Sequence, residues 1–349
     1  MTIYILLISF LIITRLGLKK HRKAFCIITT FALYALVALR SVNMGIGDTA
    51  NIYYFTFKQA RIMSWKSLFS YIMPDRIFFL FITKSIGIFI KNYHLYLAII
   101  GLPYVLSVSW LIYRYSKRPL LSYICFMALY YLYSFFLLRQ VLAMAITTYS
   151  YKYITEGSIR KYLISCLIAT LIHSSAIVFL IAYPFARKIK FGWRNYVYIF
   201  ISLIVSFIGS NLVLTIVNKI NPTTGSYIKA GVYQTDQGLS MFGFVITFLI
   251  LIFCHITRKK NNGDDYLYNL STLGSMLYAL TNVVAEFYRV SLYFSIFNIL
   301  LIAETIPYLK LKDNRKILYA VLISLMIAYF LIRTINNIHA NPYEFLWME

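Results

Sequence analysis

Acidic residues are scarce in this chain of 349 residues, which has 11 Asp and Glu against 34 Lys and Arg. The basic residues interrupt apolar runs and form no continuous stripe, so we predict that the protein does not bind nucleic acid. Basic loops on one side of a membrane, and their attraction to anionic lipid, explain most of the excess. An anionic substrate would explain a few more of these cations.

Cysteine is also rare, and the common catalytic signatures are missing. No CxxC pair occurs, and all four cysteines lie inside apolar runs, which indicates small core residues: Cys26, Cys125, Cys166 and Cys254. The sequence has no Walker A motif, no GxGxxG after a strand, no GxSxG, no HExxH and no DxD-like pair. These absences disfavour an ATP-driven pump, a metal site and a metal-dependent enzyme that uses nucleotide sugars.

Apolar residues dominate what is present. Hydrophobic residues make up 60% of the chain and charged residues 13%, with a mean hydropathy of +0.72. A soluble domain is about half apolar and about a quarter charged. We therefore predict an all-α, polytopic transmembrane protein that forms a single integral membrane domain over residues 1–349.

Twelve apolar runs are predicted to be helical spans. A full crossing needs about 20 residues, so some runs must be short or broken helices, and we predict 10–12 crossings. The first run resembles a signal anchor more than a cleaved signal peptide, because it lacks a basic start and a cleavage site. The runs are 2–14, 24–39, 77–90, 95–113, 120–138, 140–154, 162–183, 195–217, 240–256, 266–285, 290–307 and 317–335.

Two long loops interrupt the runs. Loop 40–76 is rich in aromatic residues and is predicted to lie along the membrane interface as an amphipathic segment. Loop 218–239 has the glycine, proline and asparagine content of turns. Binding sites on a membrane scaffold are often built from such loops, and aromatic side chains can stack on sugar rings. Tyrosines are, however, also typical of the aromatic belts at membrane interfaces.

The basic clusters between the runs constrain the topology: 15–23, 114–118, 160–161, 187–194, 258–260 and 310–316. If every run crosses once, the second and third clusters fall opposite the other four, which conflicts with the positive-inside rule. A topology in which run 77–90 does not cross fully and the segment around His173 is broken removes this conflict. It also places Arg139 on the same side as Arg40.

Arg40 and Asp48 flank a glycine-rich turn where the chain leaves its second apolar run. Arg40 could bind an anion and Asp48 could act as a base, while Gly45 and Gly47 let backbone N–H groups approach a phosphate. The structural alternative is that Arg40 is a flanking arginine that snorkels to the interface and that Asp48-Thr49 begins the next helix.

Three further places combine polar chemistry with an apolar setting. Arg139-Gln140 interrupts a long apolar stretch, so it should face protein, water or substrate, unless it is the exposed tip of a hairpin. His173 could relay a proton, or it could be a core histidine satisfied by a backbone carbonyl. Glu286 and Arg289 are spaced for a local ion pair, and Glu286 could instead orient Arg289 toward an anion.

Three blocks of these residues follow the order and spacing of a known family. The first is Arg40-Ser41 with Gly47-Asp48-Thr49 and Tyr53. The second comprises Leu138-Arg139-Gln140, Ala143, Ala145-Ile146, Tyr153-Ile154, Arg160-Lys161, Ala169 and His173-Ser174-Ser175-Ala176. The third is Arg289 followed by Tyr293-Phe294. Together they resemble the EpsG family of bacterial surface-polysaccharide polymerases, related in role to Wzy-type O-antigen polymerases; the extra Gly45 and the apolar Leu137-Leu138 depart from its pattern.

The resemblance implies a membrane glycosyltransferase that joins lipid-linked oligosaccharide repeat units into an exopolysaccharide, capsule or O-antigen. It implies a multi-pass protein of the cell membrane with its active site on the extracytoplasmic side. The implied donor is a glycan on a polyprenyl diphosphate such as undecaprenyl diphosphate, and the implied partners are membrane lipid, a flippase and a chain-length regulator. No ATP, metal or other cofactor is required, because the diphosphate bond supplies the energy.

The resemblance also implies roles for individual residues. Arginine is always charged and can fork onto phosphate oxygens, so the donor diphosphate is expected to bind the polar set Arg40, Arg139, Gln140 and Arg289. Asp48 or His173 would accept the proton of the acceptor hydroxyl, and we prefer Asp48 because it lies in a loop that can reach a polar sugar.

Two other functions remain open. A flippase for the lipid-linked glycan would also use cations, but it should show inverted repeats and charges at the midplane of the membrane. A membrane acyltransferase would need an acidic partner close to His173, and neither flank of that histidine offers one.

Overall fold

Helices are the only regular secondary structure in the described chain, apart from one isolated β-bridge. The computed structural model describes residues 1–44, 48–69, 77–209, 213–216, 219, 237–257, 265–305, 312–337 and 339–348. The α-helices are α1 Thr2–Gly17, α2 Arg22–Ala38, α3 Tyr54–Ile62, α4 Trp65–Phe69, α5 Ile77–Phe89, α6 Tyr93–Tyr115, α7 Pro119–Leu129, α8 Leu138–Glu156, α9 Ile159–Ile172, α10 Ala182–Lys188, α11 Trp193–Ile208, α12 Gln237–Ile256, α13 Asp265–Ala279, α14 Phe287–Ser295, α15 Asn298–Thr305 and α16 Lys312–Ile335. The all-α prediction is confirmed, and each of the twelve predicted runs falls on one or more of these helices.

Short and broken helices are a consistent feature of the described chain. Run 120–138 divides into α7 and a 3₁₀ turn, Tyr131–Phe135. The break predicted at His173 is present, because α9 ends at Ile172 and a 3₁₀ segment begins at Ser174. The pair α14 and α15 is bent by 45°. These breaks confirm the predicted mixture of short and interrupted helices.

Few of the described helices are long enough to cross a membrane alone. By length and composition, Tyr93–Tyr115 and Arg315–Ile335 qualify, and the bent pair α14 and α15 makes up to three. Five further apolar helices are shorter, including α5, whose 13 residues span about 20 Å at the usual rise per residue. That length suits the topology in which run 77–90 does not cross fully. The count of 10–12 crossings stays a prediction.

The chain divides into two compact units. The first comprises residues 1–153, 158–177 and 311–349, and the second comprises residues 154–157 and 178–310. In the second unit a buried polar network joins helices, since the Asn195 amide donates to Asn269 (2.8 Å) and Thr272 (3.0 Å). Asn269 in turn donates to the carbonyl of Ile189 at 2.7 Å. The prediction of one membrane domain over the whole chain remains untested.

The helices of the first unit have two chemically different ends. Helix α2 runs antiparallel to α6, because Tyr34 donates to the Ala98 carbonyl at 3.1 Å and Arg22 donates to the Ser116 carbonyl at 2.7 Å. We call the end that contains Arg22 and Ser116 the basic end. The first and second basic clusters therefore meet there, which is the arrangement that satisfies the positive-inside rule.

Several arginines close the carboxyl ends of neighbouring helices. The last carbonyls of a helix lack partners within the helix and carry partial negative charge. Arg333 donates to the carbonyls of Ala128 (3.0 Å) and Leu129 (2.6 Å), at the end of α7. Arg22 does the same for α6, and Arg187 for α8. Some of the excess Lys and Arg residues therefore stabilise helix ends, a role that was not predicted from the sequence.

Lys84 caps a helix in the same way. The residue is 6% exposed. Its ammonium group donates to the carbonyls of Ala60 (3.3 Å) and Met63 and lies 4.9 Å from the ring centre of Trp65. It thus joins α5 to the carboxyl end of α3. The charge inside run 77–90 is explained by this contact.

Replacing Lys84 should loosen α3. We expect Lys84→Met, which keeps the length of the side chain, to lower the stability of the fold by about 1–3 kcal/mol, because buried carbonyls lose their donor. The thermal unfolding midpoint in detergent measures this effect. The control is Lys91→Met, an exposed lysine just beyond α5, which should leave the midpoint unchanged. Equal midpoints for the two variants would show that Lys84 does not hold α3 in place.

Candidate active site

Arg40 is a buried cation at the end of α2. It is 1% exposed, so the structural alternative, in which it snorkels to the interface, does not apply. Nη1 donates to the Val37 carbonyl, whereas Nε and Nη2 have no hydrogen-bond partner among the described residues. Burial lowers the pKa of the guanidinium to about 10, which still leaves it charged at neutral pH. A buried charge with free donors is costly, and an anion would compensate for it.

Aromatic residues surround this guanidinium. Its central carbon lies 5.8 Å from the ring centre of Phe135, and the phenols of Tyr93, Tyr131 and Tyr343 are close enough to interact electrostatically with it. Each of these three hydroxyls donates to a backbone carbonyl at 2.7 Å: Tyr93 to Thr49, Tyr131 to Leu33 and Tyr343 to Leu36. The hydroxyls thereby fix the wall around Arg40.

The C-terminal segment closes over Arg40. Arg40 forms an antiparallel bridge with Phe345, in which Ser41 N–H donates to the Glu344 carbonyl and Leu346 N–H to the Leu39 carbonyl, both at 2.9 Å. The C-terminal segment therefore encloses Arg40 together with the described part of loop 40–76. The pairing was not predicted from the sequence, in which the segment is marked only by its aromatic residues.

Asp48 begins a one-turn π-helix, Asp48–Tyr53. The helix start expected from the structural alternative is therefore present, while Gly45 and Gly47 lie outside the described residues. The buried Thr49 anchors the turn, since its hydroxyl donates to the Phe135 carbonyl at 2.9 Å and its carbonyl accepts from Tyr93. Short π-helical segments are frequent at functional sites. Through Thr49, the turn that begins at Asp48 is bonded to Phe135, whose ring contacts Arg40.

Tyr53 links Asp48 to Arg139. The backbone N–H of Arg139 donates to the Tyr53 hydroxyl at 3.5 Å, and the Arg139 side chain also bonds to this phenol. Burial raises the pKa of Tyr53, which the Arg139 cation opposes and the Asp48 carboxylate reinforces. Both charges therefore act on one hydroxyl. The structure places Arg139 at the same end of the first unit as Arg40, as the second topology requires.

Arg139 also lines a partly enclosed pocket with about 480 Å³ of empty space. The polar side chains of its lining are Arg139, Tyr53, Thr56 and Gln59, and the apolar ones are Ile52, Ala60, Met63, Phe79 and Leu80. Arg40, Asp48 and His173 are not among these lining residues. A cationic and polar rim beside an apolar wall suits an amphipathic anion.

Arg139 and Gln140 occupy the first turn of α8, which begins at Leu138. The first N–H groups of a helix lack partners within the helix, and its dipole favours an anion there. Gln140 is 2% exposed and Arg139 is half-buried. This pair is therefore not an exposed hairpin tip. The start of α8 adds positive potential to that of the guanidinium.

His173 lies at the carboxyl end of α9. Its backbone is extended, and its N–H donates to the Ala169 carbonyl at 2.9 Å. Helix α9 packs against α5, which supplies Phe79 and Leu80 to the lining. The role of His173 as a base stays a prediction.

Arg289 belongs to the second unit. Its Nε lies 3.0 Å from Glu286 Oε2 and donates to the Tyr288 hydroxyl at 3.0 Å. The local ion pair considered from the sequence is therefore present. Its role as a diphosphate ligand stays a prediction. Of loop 218–239, only Lys219 and residues 237–239 lie within the described chain.

The fold and this site define an all-helical membrane protein with a buried cation beside a guanidinium-lined pocket. The EpsG family model matches residues 23–345, nearly the whole chain. The chain belongs to the EpsG family. Neither a curated protein nor a solved structure matches it.

Proposed function

We propose that this protein polymerises lipid-linked oligosaccharide repeat units into a surface polysaccharide. The observation that carries the proposal is the pocket in which Arg139 and Tyr53 meet an apolar wall, close to Asp48 and on the same end as Arg40. A donor on a polyprenyl diphosphate is an anion attached to a lipid, and it needs both features. Family membership supports the same conclusion.

Arg139 is the proposed direct ligand of the diphosphate. Its half-buried guanidinium faces the pocket, and the start of α8 with Gln140 adds to the field. Arg40 is a second fixed cation at the same end of the first unit, and it lies against the ring of Phe135. Both charges would stabilise the negative charge that develops on the leaving diphosphate. Arg289 is retained as a further proposed diphosphate ligand because of its place in the third block.

Asp48 is the proposed general base. The hydroxyl of the acceptor sugar attacks the anomeric carbon of the donor, its proton passes to the carboxylate, and the bond to the polyprenyl diphosphate breaks. Asp48 is preferred to His173 because it shares the Tyr53 phenol with Arg139. The diphosphate leaving group supplies the energy, so we propose no ATP, metal or cofactor.

The reaction is proposed to take place on the extracytoplasmic side of the cell membrane. The glycan would lie against loops 40–76 and 218–239. A flippase that delivers the repeat units and a chain-length regulator are the proposed partners.

Removing the protein from a strain that makes a polymeric surface glycan tests this function. We expect single lipid-linked repeat units to accumulate on the outer face of the membrane, where an added lectin reaches them in intact spheroplasts. Accumulation on the cytoplasmic face would instead identify a flippase. Full-length polymer lacking only its acyl groups would identify an acyltransferase.

Asp48→Asn tests the choice of base. This substitution keeps the size of the side chain and removes its basicity, so polymer formation should fall by about 100-fold or more, while the lipid-linked unit still binds. His173→Gln is the matched comparison and should retain most of the activity. The opposite pattern, with an active Asp48→Asn and an inactive His173→Gln, would transfer the role to the histidine. Polymer ladders on gels measure both variants.

A further inference from the structure

A second cationic pocket lies at the basic end of the first unit, between the end of α1 and the start of α7. It has about 620 Å³ of empty space, and its described lining contains no carboxylate. Four of the lining side chains are cations, Arg15, Lys19, Lys117 and Arg118, and they stand beside Leu120 and Tyr319. The pocket that contains Arg139 lies at the other end of this unit.

The backbone around this pocket fixes its shape. Arg15 donates to the Leu18 carbonyl at 3.2 Å, which fixes the turn after α1. Arg118 N–H donates to the Ser116 hydroxyl at 3.1 Å, and its guanidinium lies 5.8 Å from the ring centre of Tyr319. Helix α7 begins at once with Pro119, so its positive dipole end adds to the four charges. Arg15 and Arg118 are thus held beside the opening, one at the end of α1 and the other at the start of α7.

Like charges around one opening repel each other, and an anion bound between Arg15, Lys19 and Arg118 would reduce that repulsion. The apolar wall and the position at a helix end of a membrane protein favour an anion attached to lipid. We propose that this pocket binds the phosphate of an anionic lipid headgroup. The positive-inside rule assigns this end to the cytoplasmic face. The site is therefore separate from the proposed donor site.

Lipid retention by the full-length protein tests the proposal. The protein is placed in nanodiscs of equal phosphatidylcholine and phosphatidylglycerol, and native mass spectrometry counts the lipids that stay bound. We expect the wild type to retain phosphatidylglycerol preferentially. The double variant Lys19→Gln with Arg118→Gln should lower this preference about 30-fold, given the usual gain per basic residue at a charged membrane surface.

The matched control is Arg114→Gln. Arg114 is exposed at the same end but is not in the lining, so its loss should leave lipid retention unchanged. An equal decrease in the control would show general surface attraction and would overturn the proposal. The single variant Lys19→Gln gives a second measurement if the double variant fails to fold, and it should also lower retention.

Binding of inorganic pyrophosphate distinguishes a lipid headgroup from a soluble phosphate ligand. If the pocket holds a lipid headgroup, pyrophosphate added to phosphatidylcholine nanodiscs should bind weakly, while phosphatidylglycerol binds in the wild type alone. Tight pyrophosphate binding that the double variant loses, without any lipid preference, would support the phosphate site and assign it to a soluble ligand. Absence of binding by both probes would contradict it.

Discussion

Arg139→Ala should convert polymer production into accumulation of single lipid-linked repeat units. The side chain lines the pocket and bonds to Tyr53, so its removal takes away the cation proposed to bind the leaving diphosphate. Loss of one preorganised group that stabilises developing charge costs about 100-fold or more in rate. The measurement is the ladder of glycan lengths in cells that contain normal amounts of the variant.

Two comparisons make this result specific. Arg139→Lys keeps the charge but not the planar fork, and should recover only part of the chain growth. Arg194→Ala removes an exposed arginine at the start of α11 and should give full-length chains. If Arg139→Ala also gives full-length chains, the diphosphate is bound elsewhere.

Arg40→Met should abolish most polymerisation without unfolding the protein. The guanidinium is buried, and two of its nitrogens have no partner in the described chain. Replacing a buried, poorly compensated charge with an apolar side chain of similar length is often neutral or stabilising. We therefore expect an unchanged or higher unfolding midpoint together with a loss of activity of about 100-fold.

Arg333→Met provides the opposite case. Arg333 satisfies two carbonyls at the end of α7, so its loss should lower the unfolding midpoint while the folded fraction keeps its activity. A large drop in the midpoint for Arg40→Met, in proportion to its loss of activity, would show that Arg40 is also structural. The two midpoints, measured in one detergent, decide between these roles.

The helical architecture could be predicted because it follows from local composition. Each apolar run became helix, and the break at His173 was one of the two changes that brought the basic clusters into agreement with the positive-inside rule. The shared end of Arg40 and Arg139 could be derived as well, because the basic clusters at 15–23 and 114–118 had to meet. These features depend on neighbours along the chain or on the charge rule of membranes.

Contacts between distant residues could not be predicted. The bridge between Arg40 and Phe345 joins the second helix to the end of the chain, and no periodicity records such a pairing. The capping role of Lys84 and the burial of Arg40 also depend on residues that are distant in the sequence, so neither could be predicted. A charge in an apolar run looks alike whether it binds a substrate, a helix end or the membrane surface. Only the partners of its nitrogens distinguish these cases.

Reconstitution tests the central proposal most directly. The purified full-length protein is placed in liposomes with polyprenyl-diphosphate-linked repeat units, a metal chelator and no nucleotide, and the products are separated by length. We predict a ladder of polymer for the wild type and single units for Arg139→Ala. A wild-type protein that forms no ladder under these conditions, or a ladder that Arg139→Ala leaves unchanged, would contradict the account.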